Sequence, residues 1–381
     1  MKNRESAQIF LTVAVWGSDF LSLFLEYVLP SYLTEGGIPE LPRRGYRSIF
    51  WLYTKAESLA AIEAHGSYQS LASLIETKLI AIDSITDVSA HQTVYETMNA
   101  CHQDFIEKAR QAHAAMIFYS PDAFWSDNSL RYTLDQVEKG KRAILLAGMR
   151  ANKEGVLTEL MSAPVQSGKT GFSSRALVDL LLRHPHRITE SLTWDTAAMD
   201  IGWASHLYWR VAGSGYLARC FHLHTFFVHP RIDASPEVAH DFDWLEKIGL
   251  SANEIAIVQN SDDMFALELS PAARSVNGRL GERSWGALAD WVCRYAASDH
   301  RHYVLHAISL RASGGHYWSW IYARLTSAFI VRSVLVLAWF QNRFKLELQP
   351  NGSWQSARVP QRQFRTVWSC LLATIPGRHS S

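Results

Sequence analysis

The chain is poor in cysteine. Its four thiols, Cys101, Cys220, Cys293 and Cys370, are scattered through 381 residues and form no Cys-x-x-Cys pair. A disulfide framework is excluded, and a reducing, cytoplasmic setting is the simpler expectation. Net charge is also missing: 37 basic and 36 acidic residues leave +1, so no global field would draw the chain to nucleic acid. With 19% charged and 48% hydrophobic residues, extensive disorder is excluded. No run of about 20 uncharged apolar residues occurs, so no membrane span is expected. The nearest approach, Ser327 to Phe340, is interrupted by Arg332 and reads as a buried helix, with peripheral contact to a membrane as its alternative. No cleavable leader pattern, internal repeat or low-complexity tract is visible. Gln166-Ser167-Gly168-Lys169-Thr170 has Ala163 where a phosphate loop needs glycine and no strand leading in, so it reads as a loop.

What the chain has in surplus is tryptophan, 14 residues, suited to stacking on carbohydrate or to bulky core packing. It also alternates strand and helix patterns through its first 150 residues. Gln8 to Val15, Ser48 to Tyr53, Leu79 to Asp83, Ala114 to Tyr119 and Ala143 to Ala147 are short apolar runs rich in branched and aromatic residues. Between them lie helical periodicities: Phe20 to Leu29 after a Ser18-Asp19 cap, a helix from Ala56, Tyr95 to Ala112, and Leu130 to Val137 ended by Gly140. Such alternation predicts an α/β fold with a mostly parallel, Rossmann-like sheet flanked by helices.

The strand Ala114 to Tyr119 breaks at Ser120-Pro121-Asp122, with Asp127 five residues beyond Asp122, then helix and strand again. Carboxylates at the carboxyl end of a strand stand where open α/β sheets bind ligands. This segment resembles the metal-binding stretch of GT-A glycosyltransferases, which move a sugar from a nucleotide-sugar such as a UDP-sugar. The likeness covers roughly the first 150 residues. It departs from the family at Ser120 and Pro121, where a second close carboxylate would complete an Asp-x-Asp motif. The resemblance implies donor contacts at Val15, Trp16 and Gly17, at Thr54, at Asn99 and His102, and at Asp122 and Asp127. It also implies a divalent metal, Mn²⁺ or Mg²⁺, on Asp122. Without it, Pro121-Asp122 is a turn, Asp127 a helix cap, and Trp16 a core residue.

Beyond residue 150 the sequence reads helical at Asn152 to Met161 and Ser174 to Arg183, then turns to strands. Cys220 to His229 alternates so that His222 and His224 share a strand face, a pairing able to ligate a metal or to serve structurally. Asp241 and Asp243 fall in a loop or helix start, and Asp241 is a further candidate catalytic carboxylate. Asp262 and Asp263 follow the strand Glu254 to Val258, where adjacent carboxylates raise one another's affinity for protons and suit a base for an acceptor hydroxyl, or simply cap a turn. Met264 to Leu269 is a further apolar strand. Trp285 to Ala296 and a long segment from Gly314 to Phe340 are helical, and Asn351-Gly352 marks a late turn.

The expected division is a nucleotide-sugar-binding unit over 1–150, an acceptor-binding and catalytic half over 151–345, and a tail over 346–381. The expected activity is metal-assisted glycosyl transfer to a carbohydrate, lipid or protein acceptor. A nucleotidyltransferase is an alternative, against which the loop Trp16-Gly17-Ser18-Asp19 lacks the Gly-rich basic character. A GT-A-shaped binding or scaffold protein is the other.

Overall fold

The computed structural model describes residues 7–88, 93–162, 171–232, 244–276, 278–344, 346–348 and 354–356. Asp241, Asp243, the loop at 166–170 and the Asn351-Gly352 pair lie outside them. The strands in chain order are β1 (Gln8–Ala14), β2 (Arg47–Thr54), β3 (Glu76–Ala81), β4 (Ala115–Phe118), β5 (Ala123–Trp125), β6 (Ala143–Leu146), β7 (Met149–Asn152), β8 (Met199–Asp200), β9 (His206–Val211), β10 (Gly215–Cys220), β11 (His224–Val228), β12 (Ile255–Ile257), β13 (Ala266–Ser270), β14 (Leu280–Gly281) and β15 (Ile308–Arg311).

The central sheet has seven strands in the order β12-β6-β11-β4-β1-β2-β3. All run parallel except β11, which is antiparallel to both its neighbours. The expected α/β architecture is therefore present. Two of its strands, β11 and β12, come from beyond residue 150. The first 150 residues thus supply most of this sheet but do not complete it.

Parallel strands are covered on both faces, so their sequences run continuously apolar. In β1, Ile9, Leu11 and Val13 point into one core with Phe24, Val28 and Tyr32, whereas Phe10 and Ala14 point into another with Phe105, Ile106 and Ala109 of the helix Val94–Gln111. The chain proceeds from β1 outward through β2 and β3, then returns across β1 to β4. That reversal opens a crevice between the carboxyl ends of β1 and β4, the place such sheets reserve for ligands.

Two smaller sheets extend the molecule. β5-β13-β7 lies beyond the carboxyl end of β4, and β15-β10-β9 backs onto a second core. In β9, Leu207, Trp209 and Val211 face that second core, which is completed by Leu288 and Val292 of the helix Trp285–Tyr295 and by Val331 and Val334 of the helix Tyr317–Phe344. The expectation for the C-terminal helix needs correction here. It is 28 residues long, by length and composition apolar enough to cross a membrane, and only one of its sides is buried.

The strand expected from Cys220 to His229 is also corrected. β10 ends at Cys220 in the small sheet, and β11 starts at His224 in the central one. The connection Phe221–Leu223 carries the chain from one sheet to the other, so His222 and His224 do not share a strand face. Alternation cannot register such a crossing, because apolar residues are needed on both sides of it.

Candidate functional site

The crevice has a volume of about 440 Å³, within the range of small-molecule sites. Ala14, Val15 and Trp16, at the end of β1, form one side. Phe118 to Asp122, running on from β4, form the floor. The helix Val94–Gln111 is held at its start by a reciprocal cap between Thr93 and Glu96, and presents Val94, Tyr95, Met98 and His102 as a wall. Opposite stand Arg150 from β7, His224 at the start of β11, Glu268 from β13, and Arg274 just beyond it.

A second cavity of about 270 Å³ adjoins the first. Trp125, Trp203, His206, Tyr208 and His222 line it, and it shares Ser120, Arg150, His224 and Glu268 with the larger one. The two form a bilobed cleft whose waist is polar and charged. An aromatic stack supports that waist: Tyr119 lies on Tyr32 with ring centres 4.1 Å apart and meets Trp125 and Phe226 edge-on.

Charge at the waist is arranged around Glu268. Its register opposite Ala123 on β5 and Arg150 on β7 is set by the small sheet. Arg150 forms an ion pair with it and donates to Ser270 Oγ at 2.9 Å. Arg274 lies 3.9 Å from Glu268 and donates to the Tyr95 hydroxyl at 2.9 Å. Asp122 is buried, accepts from Ser120 Oγ at 2.6 Å, and is tied to β13 through its carbonyl, which accepts from Leu269 N–H at 2.7 Å. Burial raises the Glu268 pKa to about 7, with Asp122 adding to the rise and Arg150, Arg274 and His224 opposing it.

The consequence for stability has a definite sign. A carboxyl whose folded pKa is raised favours folding while it is protonated, and loses that contribution as pH climbs from about 4.5 through about 7. Glu268→Gln is thus expected to melt above the wild type at alkaline pH and level with it at acid pH, as read by differential scanning calorimetry across pH. A constant difference between the two proteins would show that Glu268 does not titrate in this range.

No known protein-family profile matches the chain. No curated protein sequence matches it at a significant level. Among solved structures, a Bacillus anthracis protein assigned as a glucose-1-phosphate thymidylyltransferase, in complex with sucrose, matches with a TM-score of 0.24 at 12% identity. The match covers 39% of this chain and 57% of that one, a likeness too slight to carry an argument about activity.

The cleft gathers five of the residues expected to contact a donor or metal: Val15, Trp16, His102, Asp122 and His224. His222 lines the second lobe only, its ring 4.4 Å from that of His300. Others lie elsewhere. Gly17 is exposed with φ at +83°, serving the turn into the first helix. Thr54 is fully buried at the end of β2. Asn99 does not line the cleft. Asp127 packs against Gly171, where any side chain would collide with its Oδ1. Asp262 is held by Arg175 through two hydrogen bonds of 2.9 and 3.0 Å, and Asp263 follows it outside both lobes. Burial, and secondarily Asp262, raises the Asp263 pKa, at a place away from the cleft.

Among the described residues, no group of three or more His, Cys, Asp or Glu side chains is placed to hold a metal ion. The set expected from Asp122, His222 and His224 does not assemble, because the chain crossing at Phe221–Leu223 sends His222 into the other lobe. Two guanidiniums stand at the waist instead. Sequence reasoning missed Arg150, Glu268 and Arg274. A signal was present for two of them: a lone charge inside an apolar run, as in Ala266-Leu267-Glu268-Leu269 and Gly148-Met149-Arg150-Ala151, has to find a partner once buried.

Proposed function

We propose that this chain is a glycosyltransferase that uses a nucleotide-sugar. The observation that carries the reading is the bilobed cleft at the β1/β4 switch point, with a carboxyl of raised pKa and two arginines where its lobes meet. The nucleoside occupies the larger lobe, against Trp16, Phe20 and Tyr95. Its diphosphate meets Arg274 and Arg150, whose guanidiniums match phosphate oxygens better than a point charge does. The sugar reaches the waist, and the acceptor enters the smaller lobe among Trp125, Trp203 and Tyr208.

Glu268 takes the proton from the acceptor hydroxyl. The acceptor oxygen then bonds to the anomeric carbon as the bond to the diphosphate breaks. The leaving diphosphate keeps that electron pair, and the arginines offset its charge. Direct displacement of this kind inverts the anomeric centre. No step requires a metal, and the described residues do not form a three-ligand site for one.

Titration calorimetry with a panel of nucleoside diphosphates, with and without Mn²⁺, tests the first half of the reading. Binding without metal supports it, and strict metal dependence would return Asp122 to the role of ligand. Absence of binding by any member of the panel would leave a scaffold. Incubation with nucleotide-sugars and, separately, with nucleoside triphosphate plus sugar phosphate distinguishes glycosyl transfer from nucleotidyl transfer by the pyrophosphate released in the second case. Arg274→Ala is expected to weaken diphosphate binding by roughly tenfold to a hundredfold, the value of one or two charge-assisted hydrogen bonds. An unchanged affinity would place the diphosphate elsewhere.

A further inference from the structure

The helix Tyr317–Phe344 buries Ala323, Ile330, Val331, Val334 and Leu337 in the second core. Its opposite side is unusual for a protein surface. Trp318, Tyr322, Leu325, Phe329, Val336 and Trp339 all stand exposed, Trp318 at 77% and Trp339 at 57%. The spacings between them are four, three, four, seven and three residues, so they form one continuous stripe along the helix. Arg332 fills the seven-residue interval and Arg343 extends the stripe past Trp339, both exposed. Contiguous apolar surface of this extent marks an interaction site.

Charge selects the occupant. From residue 300 to the end, the sequence holds ten Lys and Arg but only one acidic residue, Glu347. The remainder of the chain holds 27 basic and 35 acidic residues, so the near-neutral total conceals a strongly basic C-terminal part. No Asp or Glu occurs within the helix itself. A second copy packed face to face on this stripe would offer Arg332 and Arg343 no carboxylate on the helix to receive them. An anionic bilayer satisfies both features, since its headgroups take the arginines and its acyl boundary takes the aromatic rings. Tryptophan near each end of the stripe matches the residue preferred at a membrane interface.

We propose that this face docks on the surface of an anionic lipid bilayer, with the helix lying in the plane of the interface. The helix does not cross, because its other side is part of the protein core. Arg219, buried beneath it, also donates to Ser327 Oγ at 2.8 Å and to the Leu305 carbonyl at 2.8 Å, and so ties it to β10. Docking and sugar transfer are separate properties of the chain, and each can fail without the other.

Vesicle co-sedimentation of the full chain tests this docking. Vesicles of phosphatidylcholine containing phosphatidylglycerol are expected to carry the protein down, vesicles of phosphatidylcholine alone to leave it in solution, and added salt to release it. Replacing both Trp318 and Trp339 with serine is expected to lower the partition coefficient by roughly tenfold or more. Arg332→Glu with Arg343→Glu is expected to do the same. These side chains are exposed, and circular dichroism of each variant checks that the fold is kept. Bromine-labelled lipid should quench the wild type's tryptophan fluorescence and not the double tryptophan variant's. Failure of the wild type to bind anionic vesicles overturns the proposal, as does equal binding by the tryptophan variant, which would place the contact in the basic tail. Concentration-dependent dimerisation lost in that variant would assign the face to a second copy.

Discussion

Glu268→Gln is expected to lower the turnover number by about a thousandfold, within the range by which a positioned general base accelerates proton transfer. The amide keeps the shape and one hydrogen-bonding oxygen but cannot accept the acceptor's proton. Affinity for the nucleoside diphosphate should stay near the wild-type value, because Arg274 keeps its contact with Tyr95 and needs no carboxylate to do so. In the wild type, the rate should rise with pH toward about 7 as Glu268 loses its proton, and the variant should lack that limb. Single-turnover transfer measured against pH separates the cases. A variant with full activity would remove Glu268 from the chemistry, and the nearby Asp122 would become the next carboxylate to test.

Glu40→Ala is expected to destabilise the fold by about 3 kcal/mol, the usual result of deleting one partner of a buried ion pair. The Glu40 side chain is fully buried and accepts from Arg131 Nε at 2.6 Å, from Arg44 Nε at 3.2 Å, and from Arg43. Arg44 also reaches Asp135 at 2.7 Å, so the cluster ties the short helix Glu40–Arg43 to the helix Ser129–Glu138 that follows the Asp122 corner. Without Glu40, three guanidiniums would crowd around an empty space. Burial pushes the Glu40 pKa up, but the hydrogen bonds from Arg131, Arg43 and Arg44 more than offset this and leave it below the ordinary glutamate value. That contribution is complete above the unfolded pKa and disappears as pH falls through the lower folded one. Urea unfolding at neutral pH should show the full deficit of the variant, and strongly acid conditions a smaller one. Equal deficits at both would mean that lost packing, not lost charge, governs the change.

The strands that could be read from the sequence were those with the simplest physical requirement. β1, β2, β4 and β6 are buried on both faces, so each must be continuously apolar, and turns or caps punctuate them at about the right residues. β3 begins three residues before its apolar run, because Glu76, Thr77 and Lys78 have the composition of a loop; the strand lies at the edge of the sheet, where water covers one side. From sequence the helix Tyr317–Phe344 reads as buried, because hydropathy counts both sides together. Only packing shows that one side has a protein partner and the other does not.

The candidate site was legible to the same limited degree. Asp122 could be found because a strand that ends at an acidic turn is a local pattern. Glu268 could not be assigned a role, since its partners are Arg150, 118 residues away in the chain, and Asp122, 146 residues away. The sequence alone determined the α/β class, the parallel core strands and the acidic corner after β4, because burial and turn chemistry act on neighbouring residues. Tertiary structure decided which carboxylate meets the arginines, that the two lobes join at Glu268, and which side of the last long helix faces solvent. Those outcomes depend on strands that pair across more than a hundred residues, and local sequence holds no record of that pairing.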